Sequence, residues 1–476
     1  MRTVIPSRSI LAVPFLAFAT GLAAAGPGAA ADAGSPAQPP VSQSNTAKPS
    51  RYVITDYGAV ADAATLHTAA IQKAIDAAAA AGGGVAEIPE GRFLSGSIFL
   101  KKGVELRLDE GAVLLGSQNI DDYPKEQTRI EGHFQAWRMA LVNAQGMDHV
   151  RIGGSGQLNG NGAPFWAQFR ARIRADRTTT NLDVERPRLV FIDRCADVRV
   201  EGISLQDSGF WNLHLYHCSD VAIAGVRINA PVRTQGNPIG SPSTDGIDVD
   251  SCQNVTIRGC HISDGDDDIA LKGSKGPFAA EDADSPPDEN ILIEDCEFGN
   301  GSGVLTCGSE ATIVRNVTVR HCKLTGRGSV LTLKLRQDTP QHYTDITIDG
   351  ITAVGAGRLL NVSPWMQYFD LQGQLPPARV VDRIVIRNVK GSFNQVGSLR
   401  GTAGDSIGKI SLENIDVTVA NPTLSLGPVK GITLKNVVVN GRPYELPPEL
   451  GPLALPGARQ TASPAGVAPG PATAPQ

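Results

Sequence analysis

Asp245 stands in the segment Ser243-Thr244-Asp245-Gly246-Ile247-Asp248-Val249-Asp250, and a second acidic run, Asp264-Gly265-Asp266-Asp267-Asp268, leads into Ile269-Ala270-Leu271-Lys272. Crowded carboxylates repel, and each raises its neighbour's affinity for a proton. A structural protein gains nothing from that crowding. A site needing one protonated and one ionised carboxyl does. Turn chemistry accounts for Asp264 and Gly265, but not for Asp266 and Asp267, which run straight into a strand-like segment. Calcium binding is the other use of consecutive aspartates. Asp245, Asp266 and Asp267 are therefore the candidate catalytic set. Asp248 and Asp250 alternate with Val249, share one strand face and read as supporting groups.

Residues so far apart in sequence meet only if the chain repeatedly returns on itself. A pattern of polar, β-branched, any, β-branched recurs from Val150-Arg151-Ile152 through Val198, Val221, Val255, Ile291, Val317, Ile346, Ile384 and Ile410 to Ile432-Thr433-Leu434. Five residues after the first member sits another core-type residue, such as Ile203, Val226, Cys260, Cys296 or Cys322. Unequal spacing around a fixed local pattern means one structural turn per copy, with insertions in loops. The expected fold is all-β, a right-handed parallel β-helix, with Thr68 to Ala81 as a short N-terminal capping helix ended by Gly82-Gly83-Gly84. On that fold Asp245 and Asp266 fall on neighbouring coils, at the equivalent end of the strand. Cys195, Cys218 and Cys252 form one interior column and Cys260, Cys296 and Cys322 another. Both are expected to be buried free thiols, with Cys307 outside them.

The composition agrees. Of 476 residues, 41% are hydrophobic, 19% charged and 5% aromatic, with 52 Gly and a net charge of −5. Mild acidity argues against a nucleic-acid partner, and the makeup excludes coiled coil, collagen and multi-span membrane protein. Arg2 and Arg8, the apolar Ile10 to Ala19 and the small residues after them read as a signal peptide over 1–31. A flexible linker over 32–50, a folded body over 51–446 and a disordered Pro/Ala-rich tail over 447–476 follow. The expected destination is periplasmic or extracellular, as a monomer. His149, His214, His217, His261, His321 and His342 show no metal-ligand spacing, so neither a metal nor another cofactor is expected. Trp166, Trp211 and Trp365 read as packing residues.

Asp245 in STDGIDVD, Asp266 and Asp267 in GDDDIALK, and Gly301-Ser302-Gly303 leading to Gly308-Ser309-Glu310 resemble glycoside hydrolase family 28, the polygalacturonases. The opening segment from Thr55 and the stretch Arg186 to Cys218 are also similar, so the resemblance covers roughly residues 54 to 440. It implies a parallel β-helix and inverting hydrolysis of α-glycosidic bonds in a pectic polysaccharide or oligogalacturonide. Asp266 would be the general acid, with Asp245 and Asp267 holding and deprotonating the water. Inversion ordinarily separates acid and base by ~6.5–9.5 Å. Adjacent coils give about 4.8 Å, so side-chain reach is expected to supply the rest.

The chain departs from the family where Ser302 replaces a His and Thr332 replaces the Arg of an Arg-x-Lys pair whose Lys is Lys334. Arg336, on the same strand face, could stand in for that Arg, and Tyr368 is matched with the family's later Tyr. Ser302, Lys334, Arg336, Tyr368 and Lys272 are the expected substrate-binding residues, with Lys275 and Arg327 adding positive charge for an acidic sugar. Insertions at Ile120 to Ala144 and Thr178 to Pro187 would wall the groove and favour attack from a chain end. The alternatives are a calcium-dependent lyase and a non-catalytic polysaccharide-binding solenoid.

Overall fold

Every coil turns on residues that accept a left-handed backbone. In the computed structural model, which describes residues 49–454, the polar residue before each β-branched pair has positive φ: Asp197 (51°), Asp220 (54°), Asn254 (57°), Asn290 (60°) and Asn316 (53°). A short polar side chain tolerates this region because it bonds locally. Here the amides also bond between coils: the Asn290 amide donates to Asn254 Oδ1 at 3.0 Å, and that of Asn316 to Asn290 Oδ1 at 2.6 Å. A second left-handed residue closes each pair, Gly202, Gly225 and Gly259 in three coils and Asn388, Asn414 and Asn436 in three others. These bends return the chain to stack in register.

The register follows the sequence repeat. Val198 pairs with Val221, Val221 with Val255, Val255 with Ile291, Ile291 with Val317 and Val317 with Ile346, all parallel. Ile384, Ile410 and Ile432 continue the series. One large parallel sheet wound into a right-handed β-helix results. Two earlier coils, at Gly84–Ile88 and Val104–Leu108, join the same ladder but lack the repeat's polar lead residue. Inside, Val, Ile and Leu columns are buried, each side chain worth about 1.5–3 kcal/mol relative to exposure. All seven cysteines are free and buried. The Cys218 N–H donates to Cys252 Sγ at 3.3 Å and the Cys260 N–H to Cys296 Sγ at 3.4 Å, as stacked columns require. Cys307 stands in a separate column between Leu271 and Leu333.

Helix α1, Thr68–Ala80, closes the N-terminal end by burying Ile71, Ala74, Ile75 and Ala78 against the first coils. Its Gln72 amide donates to the Phe99 carbonyl and accepts the Phe99 N–H, both at 2.9 Å, covering an open strand edge. At the other end Leu450 N–H donates to Leu426 O at 2.7 Å and Leu453 N–H to Gly401 O at 2.9 Å. The folded body therefore extends past residue 446, because sheet-edge carbonyls capture a segment whose composition alone suggests no structure. The leader at 1–31, most of the 32–50 linker and the tail from 455 lie outside the described residues.

The strand repeat is interrupted by one further helix that its pattern does not announce. Ala163–Ala175 forms helix α2, burying Phe165, Trp166 and Phe169. The other large insertion is an antiparallel hairpin, Lys125–Ile130 with His133–Arg138, turning at Glu131 and Gly132 with φ of 42° and 77°.

Candidate active site

The floor of the site is one outward-facing strip of the solenoid. Ile247 pairs with Ile269, so two residues earlier Asp245 lies opposite Asp267, and the Gly246 N–H donates to Asp267 O at 2.9 Å. The aligned partner of Asp245 is thus Asp267, one residue from the expected Asp266. Ser302 does lie one coil beyond Asp266, whose carbonyl accepts the Ser302 N–H at 2.6 Å. One oxygen from each of Asp245, Asp266 and Asp267 lies within 4.8 Å of the others. Side-chain reach therefore does not open the expected ~6.5–9.5 Å gap.

Two lysines hold this charge. Lys334 Nζ lies 2.6 Å from Asp267 Oδ2, and the Thr306 hydroxyl donates to Asp267 Oδ1 at 3.1 Å. Lys272 Nζ lies 3.1 Å from Asp245 Oδ2 and 3.3 Å from Asp248 Oδ1. Burial opposes the charge of each lysine, but the carboxylates outweigh it and hold both above the usual range. Asp266 receives no such partner. Burial, then Asp245 and Asp267, push its carboxyl up to about 8. It holds its proton at neutral pH although its coil neighbour is Ser302 and not His. Its backbone is fixed by Asp264, whose Oδ1 accepts the Asp266 N–H at 2.9 Å.

The cluster opens into a pocket of about 310 Å³. Its walls are the insertions: Glu131 from the hairpin tip, Phe169 and Arg170 from α2, Thr179 from the following segment, and Tyr368 from the loop after Trp365. The Tyr368 hydroxyl donates to Thr179 O at 3.3 Å, joining two walls across the mouth. Buried arginines tie these insertions to the floor. Arg186 donates to Pro242 O at 2.8 Å and stacks 4.1 Å from the Phe169 ring centre, and burial pushes its guanidinium down to about 9. Arg129 of the hairpin pairs with Asp250 at 3.1 Å. Arg188 donates to His214 Nδ1 at 2.8 Å, and burial pushes that imidazole down to about 3, keeping it neutral.

Of the expected binding residues, Lys334, Arg336, Tyr368 and Lys272 line this pocket. Lys272 is buried and paired with Asp245 and Asp248 as well as facing the cavity. Arg336 is also buried, paired with Asp338 at 2.7 Å and bonded to the Tyr368 carbonyl, so it supports the wall as well as facing the cavity. Ser302 lines a separate pocket beyond Asp266. Trp166 packs with its indole N–H on Ser208 O at 2.9 Å, whereas Trp211 and Trp365 lie under Lys272 and Lys334 at 4.4 and 4.8 Å. Sequence reasoning missed Arg170 and Phe169. Their signal was the helical spacing of Phe165, Phe169 and Ile173.

The model of glycosyl hydrolases family 28 matches residues 86–438. A probable polygalacturonase of Vitis vinifera is 28% identical over 313 residues, covering 63% of this chain and 60% of that protein. An endo-polygalacturonase of Pectobacterium carotovorum is 30% identical over 248 residues, covering 51% of this chain and 58% of the relative. The chain thus spans less than two thirds of the length of these curated relatives. The crystal structure of an exopolygalacturonase from Thermotoga maritima superposes with a TM-score of 0.69 at 24% identity, covering 83% of this chain and 94% of that one, and shares the fold.

Proposed function

The chain belongs to glycosyl hydrolases family 28, and on that premise we propose that it hydrolyses α-glycosidic bonds of a pectic polysaccharide or oligogalacturonide. The observation that carries this reading is the unequal charge of the cluster. Asp266, without an ion-pair partner, is pushed up to about 8, while Asp267 lies 2.6 Å from the Lys334 ammonium. Asp266 gives its proton to the glycosidic oxygen as the C1–O bond breaks. Water adds its oxygen to C1, and its proton passes to the Asp245–Asp267 pair. Each turnover leaves one new reducing end, a protonated base pair and an ionised Asp266, and the proton exchanges back through solvent. The inverting course is taken from the likeness to the family, with Asp267, anchored by Lys334 and Thr306, holding the water. The joined walls at Tyr368 and Thr179 favour attack on a chain end. The leader-like residues 1–31 support action outside the cytoplasm.

A lyase would need a calcium ion at the aspartates and a free base beside them. Lys272 and Lys334 already stand against Asp245 and Asp267 at 3.1 and 2.6 Å, where a calcium ion would have to sit. The test is reducing-end release from polygalacturonate and from rhamnogalacturonan, with EDTA present, beside Asp266→Asn. Release that resists EDTA and vanishes in the variant is expected. Release that EDTA abolishes, or an unsaturated product absorbing in the ultraviolet, would overturn the proposal.

A further inference from the structure

Asp266 forms part of the wall between two cavities. On one side lies the pocket holding Asp245 and Asp267, which together would carry the water. On the other lies a cavity of about 520 Å³, lined by Arg233, Asn300, Ser302 and Arg327 and reached by neither Asp245 nor Asp267. A general acid must stand at the bond it cleaves, between the sugar that water attacks and the sugar that leaves. The water-side pocket therefore takes the attacked sugar, and the second cavity takes the leaving group.

The two cavities differ in their cations. In the first, Lys272, Lys275, Lys334 and Arg336 each have a carboxylate partner within 4.0 Å, and Arg170 alone of its cations enters no ion pair among the described residues, its Nε–H bonded to Ile239 O. Arg233 and Arg327 enter none of the ion pairs among the described residues, and both are exposed. Their backbones are nonetheless fixed. Arg327 is flanked by Gly326 and Gly328, where a Cβ would collide with the Gly299 carbonyl and with Gly303, and a Cβ on Gly357 of the next coil would collide with the Arg327 carbonyl. The Arg233 loop is seated beside Asp266, since a Cβ on Gly265 would collide with the Ser241 carbonyl and one on Gly240 with the Arg233 backbone. Arg170, in the first pocket, is held below its usual range by burial and then by Arg233 nearby.

Resting on the hydrolase reading above, we propose that Arg233 and Arg327 bind the carboxylate of the leaving sugar, so that the bond cleaved is one whose departing unit is an unesterified uronate. A guanidinium without an internal partner, on a braced backbone, suits a planar carboxylate. This places anion recognition away from Thr332, which lines neither cavity and is the position where an arginine is missing. The leaving unit would have to be charged even though the first pocket offers no unpaired lysine.

The test compares trigalacturonate with 4-nitrophenyl α-galacturonide, whose leaving group carries no carboxylate. Arg327→Gln and Arg233→Gln are each expected to lower kcat/KM on trigalacturonate about tenfold or more, chiefly through KM, and to change nitrophenol release less than twofold. Arg327→Lys should recover part of the loss. Equal losses on both substrates, or none on trigalacturonate, would overturn the assignment while leaving the hydrolase reading standing. Wild-type protein inactive on both substrates would overturn the hydrolase reading, and this assignment with it.

Discussion

The two halves of the solenoid obey one repeat and differ in where they keep charge. Between Asp245 and Arg336 the outward strip buries Asp248, Asp250, Asp264, Asp267, Asp268 and Lys272, and its strands are short, as in Ile247–Asp250 and Ile269–Lys272. Beyond Gln341 the strands run through their corners, at 25, 21 and 18 residues for Gln341–Trp365, Arg379–Leu399 and Lys409–Leu426. There the buried charged side chains among the described residues are one pair, Arg379 with Asp405. The site strip continues through Thr332, Asn361, Ser398 and Ser425, uncharged at each step. Stacking alone therefore makes a scaffold. Breaking the strands frees corners to emit loops and lets carboxylates from adjacent coils converge.

The comparison breaks if the halves cannot be separated by mutation. Removing the acid, Asp266→Asn, should cost about 10²–10⁴ in kcat with no loss of thermal stability. A core truncation in the far half, Ile386→Ala, should do the reverse. It would cost about 2–5 kcal/mol in denaturant unfolding and leave kcat/KM unchanged at temperatures where the protein stays folded. Activity tracking stability in either variant would contradict the division.

Two smaller effects sharpen it. Since Asp266 titrates at about 8, kcat/KM should fall roughly tenfold per unit of pH above that value, as the acid loses its proton. A profile already falling at pH 6 would count against Asp266 as the acid. The buried pair behind it makes the last prediction. Burial, then Asp268, raises the proton affinity of Asp264 in the folded chain above its unfolded value, and Asp268 Oδ1 and Asp264 Oδ2 have no hydrogen-bond partner. The folded state then binds more protons than the unfolded one, so this group's contribution is fully present below the unfolded carboxylate's ~3.9 and is lost as pH rises. Asp264→Asn keeps an oxygen for the Asp266 N–H and should raise Tm by about 2–4 °C at pH 8 and by nothing measurable at pH 4. An equal shift at both pH values would mean packing, not charge, is responsible.

Much of the scaffold was legible because the repeat is a physical necessity. A coil needs inward β-branched residues and a residue that bends left-handed, and Asn, Asp and Gly at fixed positions record both. The cysteine columns followed from the same alignment. The candidate catalytic aspartates stood out because nothing structural asks for them. Helix α2 was obscured by a sequence otherwise full of strands, and the extra contact at Leu450 and Leu453 by a composition typical of tails. The environment of the binding residues was harder still. Lys272 and Arg336 look like free cations in sequence, and only the packed fold shows Asp248 and Asp338 already opposite them. The close spacing of the carboxylates was also out of reach, since it depends on Asp245 facing Asp267 directly.

That spacing makes product stereochemistry the sharpest test of the account, in which Asp266 protonates the leaving oxygen while Asp245 and Asp267 direct water at carbon. Oligogalacturonide hydrolysis followed by proton NMR from the first seconds should show the β-anomer of the new reducing end appearing before mutarotation produces the α. The α-anomer appearing first would mean a covalent intermediate on one of these carboxylates and would contradict the roles assigned to all three.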